Sequence, residues 1–270
     1  MYRFLFTPRW LGILALTLAA AAVMVLLGNW QLARYQERSS INHRIETNST
    51  ATPAPLTQVL PGPGLRPATA GAAPKDEIEY TRVTVTGRYD DANIVLVRGR
   101  SVSGRVGFEV LTPLVLSDGS AVLVNRGWVP PAAGGAMAQP QLPPTPTGEV
   151  TVTGLVRLSE RRAGEVSRRD GRLETRRIAV SELARALPYP IYGGYLSLTE
   201  QDPPADPAFV AVPLRYENNW QNGAYAAQWW LFALAALVGF GWLVRREAHD
   251  RKAGDREAGA SSPESATLPS

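Results

Sequence analysis

Three polar runs carry the residues able to do chemistry in this chain, and that chemistry is recognition. Val122–Pro130, VLVNRGWVP, sets Asn125, Arg126, Gly127 and Trp128 at the exit of an apolar strand. An Arg–Trp pair there can stack on a partner. It can equally close a hairpin, with Gly127 supplying a positive φ and Trp128 filling the core. Gly28–Arg34, GNWQLAR, offers Trp30, Gln31 and Arg34. Tyr216–Trp230, YENNWQNGAYAAQWW, offers Asn222, Tyr225, Gln228 and Trp229. Asn and Gln at the ends of apolar helices can bond between helices, or simply cap them and meet solvent.

Catalytic and metal chemistry find little support. The chain of 270 residues has no cysteine, which excludes disulfides, thiolate metal sites, a cysteine nucleophile and c-type haem attachment. Its two histidines are His43 and His249. No G-x-S-x-G, H-E-x-x-H, phosphate-loop or dinucleotide pattern occurs. Asp76, Glu77, Glu79, Asp90 and Asp91 lie in turns and linkers and read as solubilising. The chain is expected to be no enzyme and to hold no metal ion. Net charge is +4, carried by arginine, since Lys75 and Lys252 are the only lysines. A nucleic-acid binder would mix the two and cluster them on one element, so no nucleic-acid partner is expected.

The polar runs adjoin two apolar segments. Trp10–Gly28 has no charge between Arg9 and Arg34, and Tyr225–Val244 has none between Glu217 and Arg245. About 18 apolar residues at ~1.5 Å each give ~27 Å, near the thickness of a bilayer core. A cleaved signal peptide competes for the first segment and a buried soluble helix for the second. Against these stand the length of both runs and the aromatic residues at their ends: Trp10 and Trp30; Tyr225, Trp229, Trp230 and Trp242. Arg3 and Arg9 before the first span, and Arg245, Arg246, Arg251 and Lys252 after the second, place both termini in the cytoplasm. Arg34, Arg38 and Arg44 pull the other way, and the C-terminal cluster decides the side. Only nine residues precede Trp10, too few for an amphipathic presequence, so a bacterial plasma membrane is expected.

The expected architecture is therefore a membrane protein with two transmembrane α-helices flanking a β-rich (α+β) extracytoplasmic domain. Residues 1–9 are cytoplasmic, 10–29 and 225–244 span the lipid bilayer, and 30–224 form the domain. Residues 245–270 form a disordered cytoplasmic tail. Residues 31–50 are polar and can continue the first helix. The Pro/Gly-rich stretch 52–74 reads as a linker unable to hold a regular ladder. Strands are expected over 80–89, 93–97, 106–116, 121–125, 150–158 and 192–198, from alternating or continuous apolar patterns. Ser117-Asp118-Gly119 marks a hairpin, and Pro113 an edge or bulge. VTVTG occurs at Val83–Gly87 and again at Val150–Gly154, from duplication or from shared strand chemistry. Arginine-rich 161–177 reads as solvated, and Ser181 as the N-cap of a short helix, Glu182–Leu187.

Four runs together resemble the Surfeit locus protein family. GNWQLARYQER resembles its G-x-W-Q-x-x-R run leaving the first span, and VTVTGRYD its first strand. GFEVLTPLVLSDGSAVLVNRGWVP resembles its central hairpin, and NGAYAAQWWLFA its entry to the second span. The resemblance covers about residues 10–245. It implies an assembly factor for cytochrome c oxidase of the aa3 type, assisting maturation of the haem a3/copper centre of the catalytic subunit. Its implied partners are oxidase subunits or haem and copper delivery proteins. A membrane-tethered sensor or scaffold of the cell envelope is the alternative that the topology alone would allow.

The resemblance implies partner contacts at Trp30, Gln31, Arg34, Asn125, Arg126, Gly127, Trp128, Asn222, Tyr225, Gln228 and Trp229. Some bacterial members of the family are held to bind haem a through a histidine three residues before the Tyr-Ala pair of the second span. Here that position is Asn222, and an amide is a poor axial ligand for haem iron. Met24 and Tyr225 are weak substitutes, and His43 is a weak candidate beyond the first span. His249 lies 27 residues (249 − 222) past Asn222, about 40 Å along a helix. Haem a is thus implied by the family and not expected to be held stoichiometrically by this chain.

Overall fold

The computed structural model describes residues 3–260 apart from 136, 137 and 163. The chain divides into two units. One contains residues 1–40 and 217–270, the other residues 41–216.

The first unit is a pair of long helices. Helix α1, Pro8–Thr50, runs unbroken from the apolar segment through the polar run that follows it. The second long helix, labelled α4 below because it is last in the chain, is Trp220–Ala260. Within this unit Trp10 packs edge-on against Phe4 and Phe240. Gly28 lies beneath the Trp230 indole, where a Cβ would stand 2.5 Å from Nε1. The Tyr35 ring covers Gly223. These pairings run in opposite order along the two helices, so they pack antiparallel. Both are long and apolar enough to cross a membrane, and only 11% and 6% of the residues in their most apolar windows are buried. A core helix of a soluble protein would be covered; Leu16, Leu26, Leu231, Leu234 and Val238 are exposed instead.

The tail expected to be disordered from residue 245 is helical through Ala260, and 261–270 lie outside the described residues. Arg246–Asp250 and Arg251–Glu247 pairs at i,i+4 support that extension.

The second unit is sheet-rich. Its elements in chain order are β1 (Ala54–Pro55), α2 (Leu56–Val59), β2 (Arg82–Tyr89), β3 (Val95–Val102), β4 (Arg105–Val115) and β5 (Ala121–Val129). Then come β6 (Val150–Arg157), β7 (Ser167–Arg169), β8 (Arg172–Thr175), α3 (Val180–Arg185) and β9 (Ile191–Asp202). The pairings β2–β6, β6–β9, β9–β5, β5–β4 and β4–β2 close on themselves, making a five-stranded barrel. β3, β8 and β7 extend the sheet from the first half of β4. β4 thus changes neighbours midway, from β3 up to Leu111 to β2 from Leu114 onward. Pro113 sits in that gap, where its missing N–H costs no ladder bond and its carbonyl accepts from Asp90 N.

The two VTVTG copies are each other's partners. Val83–Gly87 pairs antiparallel with Val150–Gly154, residue against residue, and Thr86 and Thr151 hydroxyls bond at 3.1 Å. Leu56, Leu60, Val83, Val122, Val124, Val152 and Leu196 pack together as one core cluster. On the other face of the same sheet Val95, Leu111, Leu123, Leu173, Leu183 and Ile191 pack with α3. β5 is buried along its whole length because both its faces are covered, which the apolar run 121–124 anticipates for its first half and Asn125 and Arg126 do not for its second.

Three expectations are corrected here. The stretch 52–74 is anchored: β1 pairs parallel with β2, Leu56 and Leu60 enter the core, and Gly71 N donates to Ile191 O. Residues 161–177 contain β7 and β8, and Leu173, Glu174 and Thr175 are buried. Ser181 lies inside α3, whose first N–H, that of Val180, is received by Ser159 Oγ at 3.0 Å.

Candidate functional site

In the helix pair, the expected polar residues meet. Asn222 Nδ2 donates to Gln31 Oε1 at 2.8 Å, and Arg38 Nη1 donates to Asn222 Oδ1 at 3.2 Å. The same Arg38 nitrogen donates to Asn218 O at 2.8 Å, and Arg38 Nε stands 3.8 Å from Glu217. Asn219 Nδ2 reaches Ser39 Oγ at 2.7 Å. Gln31, Arg38 and Ser39 follow one face of α1, spaced by seven and eight residues, so their meeting with α4 follows from helical periodicity. Both ends of the Asn222 amide are therefore used in bonds across to α1. Arg34 turns instead to Glu37, and Trp30, Tyr225 and Gln228 are exposed, with Trp229 half-buried against Phe232. Arg38, Ser39 and Asn219 completed this network without being expected to. The signal was available as a run of side-chain donors at i,i+7/8 on one helix opposite an Asn-Asn-x-x-Asn run on the other.

In the sheet-rich unit, Asn125, Arg126 and Trp128 are only 4%, 3% and 3% exposed. The β4–β5 register shifts here, so Arg126 is the extra residue of a bulge. Its guanidinium lies over the Phe209 ring at 4.5 Å and the Tyr89 ring at 5.1 Å. Burial pulls that guanidinium below its usual pKa, against the opposing pull of Tyr89, Asp91 and Asp206. Gly127 has φ +135, and a Cβ would meet Val210 O at 2.9 Å. Trp128 fills the core and donates Nε1 to Arg100 O at 2.9 Å. Asn125, Arg126 and Gly127 line a small cavity of about 210 Å³, and the Asn125 side chain also lines an open polar cavity of about 450 Å³.

That cavity is walled by charged and phenolic groups. Tyr80, Arg100, Glu109, Asn125, Arg157, Glu160 and Tyr195 converge on it from β3, β4, β5, β6 and β9 and the segments beside them. Asn125 Nδ2 donates to Glu109 Oε2 at 2.8 Å while its Oδ1 accepts from Gly127 N. Arg100 pairs with Glu160 and stands 3.6 Å from Glu109. Arg157 lies over the Tyr80 ring at 4.5 Å and 3.4 Å from Glu79. Burial pushes the Glu109 carboxyl above its usual range, against Arg100 and the Asn125 hydrogen bond. Burial likewise raises the Tyr195 hydroxyl. Burial also works against the charged form of Arg100, but Glu109 and Glu160 outweigh it and hold the guanidinium above its usual value. The set can orient a polar ligand; it contains no nucleophile joined to a base.

Sequence reading missed Arg100, Glu109, Arg157, Glu160 and Tyr195. Glu109 was the discoverable one: a single acid inside GFEVLTPL, a run otherwise apolar or hydroxylic; it stands opposite Trp128 in the hairpin register, and its side chain accepts from Asn125 across the bulge. The others are brought together by pairings between strands far apart in sequence.

The histidine positions bear on haem. His43 is exposed on α1, and the Asn222 amide is already bonded at both ends. No group of three His, Cys, Asp or Glu side chains arranged to hold a metal ion occurs among the described residues. The residues present do not fit axial ligation of a haem at Asn222.

Residues 18–234 match the family model described as the SURF1 family, a stretch reaching from within α1, through the whole sheet, into α4. A SURF1-like protein of Mycobacterium tuberculosis is 33% identical over 264 residues, covering 96% of this chain and 91% of that protein. Surfeit locus protein 1 of Takifugu rubripes is 30% identical over 160 residues, 53% of this chain and 61% of the fish protein. The cytochrome oxidase assembly protein SHY1 of Saccharomyces cerevisiae is 28% identical over 118 residues, 43% of this chain and 28% of the yeast protein. The family match spans both long helices and every strand between them, and the mycobacterial likeness runs nearly end to end, so this chain belongs to the SURF1 family.

Proposed function

We propose that this chain is a non-enzymatic assembly factor for a cytochrome oxidase. It sits in a bacterial plasma membrane through α1 and α4, with both termini cytoplasmic and the sheet-rich unit outside. It assists maturation of the haem a3/copper centre of the catalytic subunit by holding that subunit, or a protein that delivers haem or copper to it. The observation that carries the reading is the helix pair. Its apolar flanks are uncovered while its polar residues are bonded to one another through Gln31, Arg38 and Asn222. Such a pair is internally satisfied and laterally open, which suits contact with lipid and with the helices of another membrane protein. Family membership and the name of the yeast relative, a cytochrome oxidase assembly protein, support the oxidase as that protein. Trp30, Tyr225, Gln228 and Trp229, on the same stretches of the two helices, are the docking residues.

In this reading the chain chaperones the subunit and carries no haem of its own. Asn222 does structural work between α1 and α4, and His43 stands apart from it in sequence and is exposed. The test is to purify the full chain in mild detergent from cells that also make haem a. Oxidase subunits should co-purify, and a preparation then freed of them should show no Soret band near one haem per chain. Recovery of envelope proteins alone would contradict the assembly role. A stoichiometric Soret band lost on His43→Ala would make His43 a haem ligand.

A further inference from the structure

Two arginine pairs, distant in sequence, meet at one place in the sheet. β3 and β8 run parallel in the register Val95↔Leu173, Leu96↔Glu174, Val97↔Thr175. The next residues along, Arg98 and Arg176, therefore leave the ladder side by side. Like charges side by side on neighbouring strands destabilise a sheet. Directly after them β3 shifts register at Gly99, which has φ +74, and Arg177 follows Arg176 on the other strand. Among the described residues, a cavity of about 380 Å³ is lined by Arg98, Gly99, Arg100, Arg176 and Arg177.

The charge there is only partly balanced. Glu160 pairs with Arg100 and stands 3.5 Å from Arg177. Glu109 adds to the Arg100 side at 3.6 Å. No carboxylate stands within ion-pair distance of Arg98 or Arg176 among the described residues, and Arg98 Nε is buried with no hydrogen-bond partner. Guanidinium forks are built for bidentate bonds to carboxylate and phosphate oxygens. Glu160 already fills the carboxylate role for two of the four. What remains is a pair of unneutralised cations on adjacent strands, which an anion of more than one charge and more than two oxygens would bridge.

We propose that this cavity is a phosphate-binding site, with Arg98 and Arg176 as its principal donors and Arg100 and Arg177 at its far wall. The cavity is much larger than a phosphate group, so it also admits what the phosphate is attached to. The headgroup of an anionic phospholipid and a free phosphate share this chemistry. The site is independent of the oxidase reading.

The full chain in nonionic detergent, at an ionic strength held constant with chloride, is titrated with inorganic phosphate and separately with dihexanoyl phosphatidylglycerol. Thermal midpoint and ³¹P line width are recorded. Either ligand should raise the midpoint above that in chloride and broaden its ³¹P signal. A response to inorganic phosphate identifies a free-phosphate site, and a response to the lipid alone identifies a headgroup site. R98Q/R176Q should bind about tenfold more weakly. Its midpoint without ligand should equal or exceed that of the unaltered protein, because the repulsion is relieved; a purely structural role would lower it. R161Q/R162Q, on the neighbouring segment, should bind normally. If R98Q/R176Q does not fold, R98K/R176K decides, since it keeps the charge and removes the fork: weaker binding supports the site and unchanged binding overturns it. No response to either ligand, or equal loss in R161Q/R162Q, would also overturn it.

Discussion

Arg126 shows how a buried cation is used to hold a bulge. Its guanidinium fills the space between Phe209 and Tyr89 and donates to Thr145 Oγ1 and Pro144 O, tying three separate segments to the end of β5. Arg126→Ala removes the cation–π contacts and the packed stem together, and should cost about 3 kcal/mol in urea denaturation. Glu109 is the opposite case, a buried acid whose pKa is raised. The folded state holds that proton more tightly than the unfolded chain does. The associated stability is thus complete below the unfolded carboxyl pKa and is lost as pH rises through the elevated folded one. Glu79, also raised by burial, adds a fall of the same sign. Thermal midpoints across the acid range should therefore drop less steeply for Glu109→Gln than for the unaltered protein. Parallel profiles would remove Glu109 from this account. At this scale the sequence disclosed the three polar runs but not their roles. Asn125 and Arg126 are partner contacts only by the family resemblance; their own chemistry allows a stacking site or a structural hairpin end. The structure buries both, one as an aromatic-flanked cation and the other as the partner of Glu109.

The elements were legible where local pattern decides and obscure where tertiary partners decide. β2, β4, β5, β6 and β9 each carry an apolar pattern long enough to be read alone. β7 and β8 are three and four residues long and mostly charged, and pairing with each other, and of β8 with β3, makes them strands. The 52–74 stretch looked like a linker because of its prolines, yet Leu56 and Leu60 insert into the barrel core. The same stretch is fastened further along at Gly193 of β9, where an added Cβ would lie 2.0 Å from Ala72 O. That neighbour is backbone and cannot rotate away. Gly193→Ala should destabilise the fold by about 3 kcal/mol. It should also open the 68–74 segment to limited proteolysis, while α1 and α4 stay helical by circular dichroism. An unchanged midpoint would mean that this segment is not held as described.

For the whole molecule, the two helices were the clearest feature of the sequence, and both are long and apolar enough to cross a membrane. Their apolar faces are uncovered, and lipid or a membrane partner is the environment that suits them. The bonds between them were foreseeable in kind, as Asn and Gln beside the apolar segments, but not in membership, because Arg38 and Ser39 belong to a stretch read only as a polar continuation of the first helix. The most direct test of the central claim is cytochrome oxidase activity in membranes of a strain from which this chain has been deleted. The account predicts that activity and the haem a absorbance both fall. The unaltered chain should restore them, and a chain carrying Gln31→Ala with Asn222→Ala should restore them less. Full activity and a normal haem a spectrum in the deletion strain would contradict it.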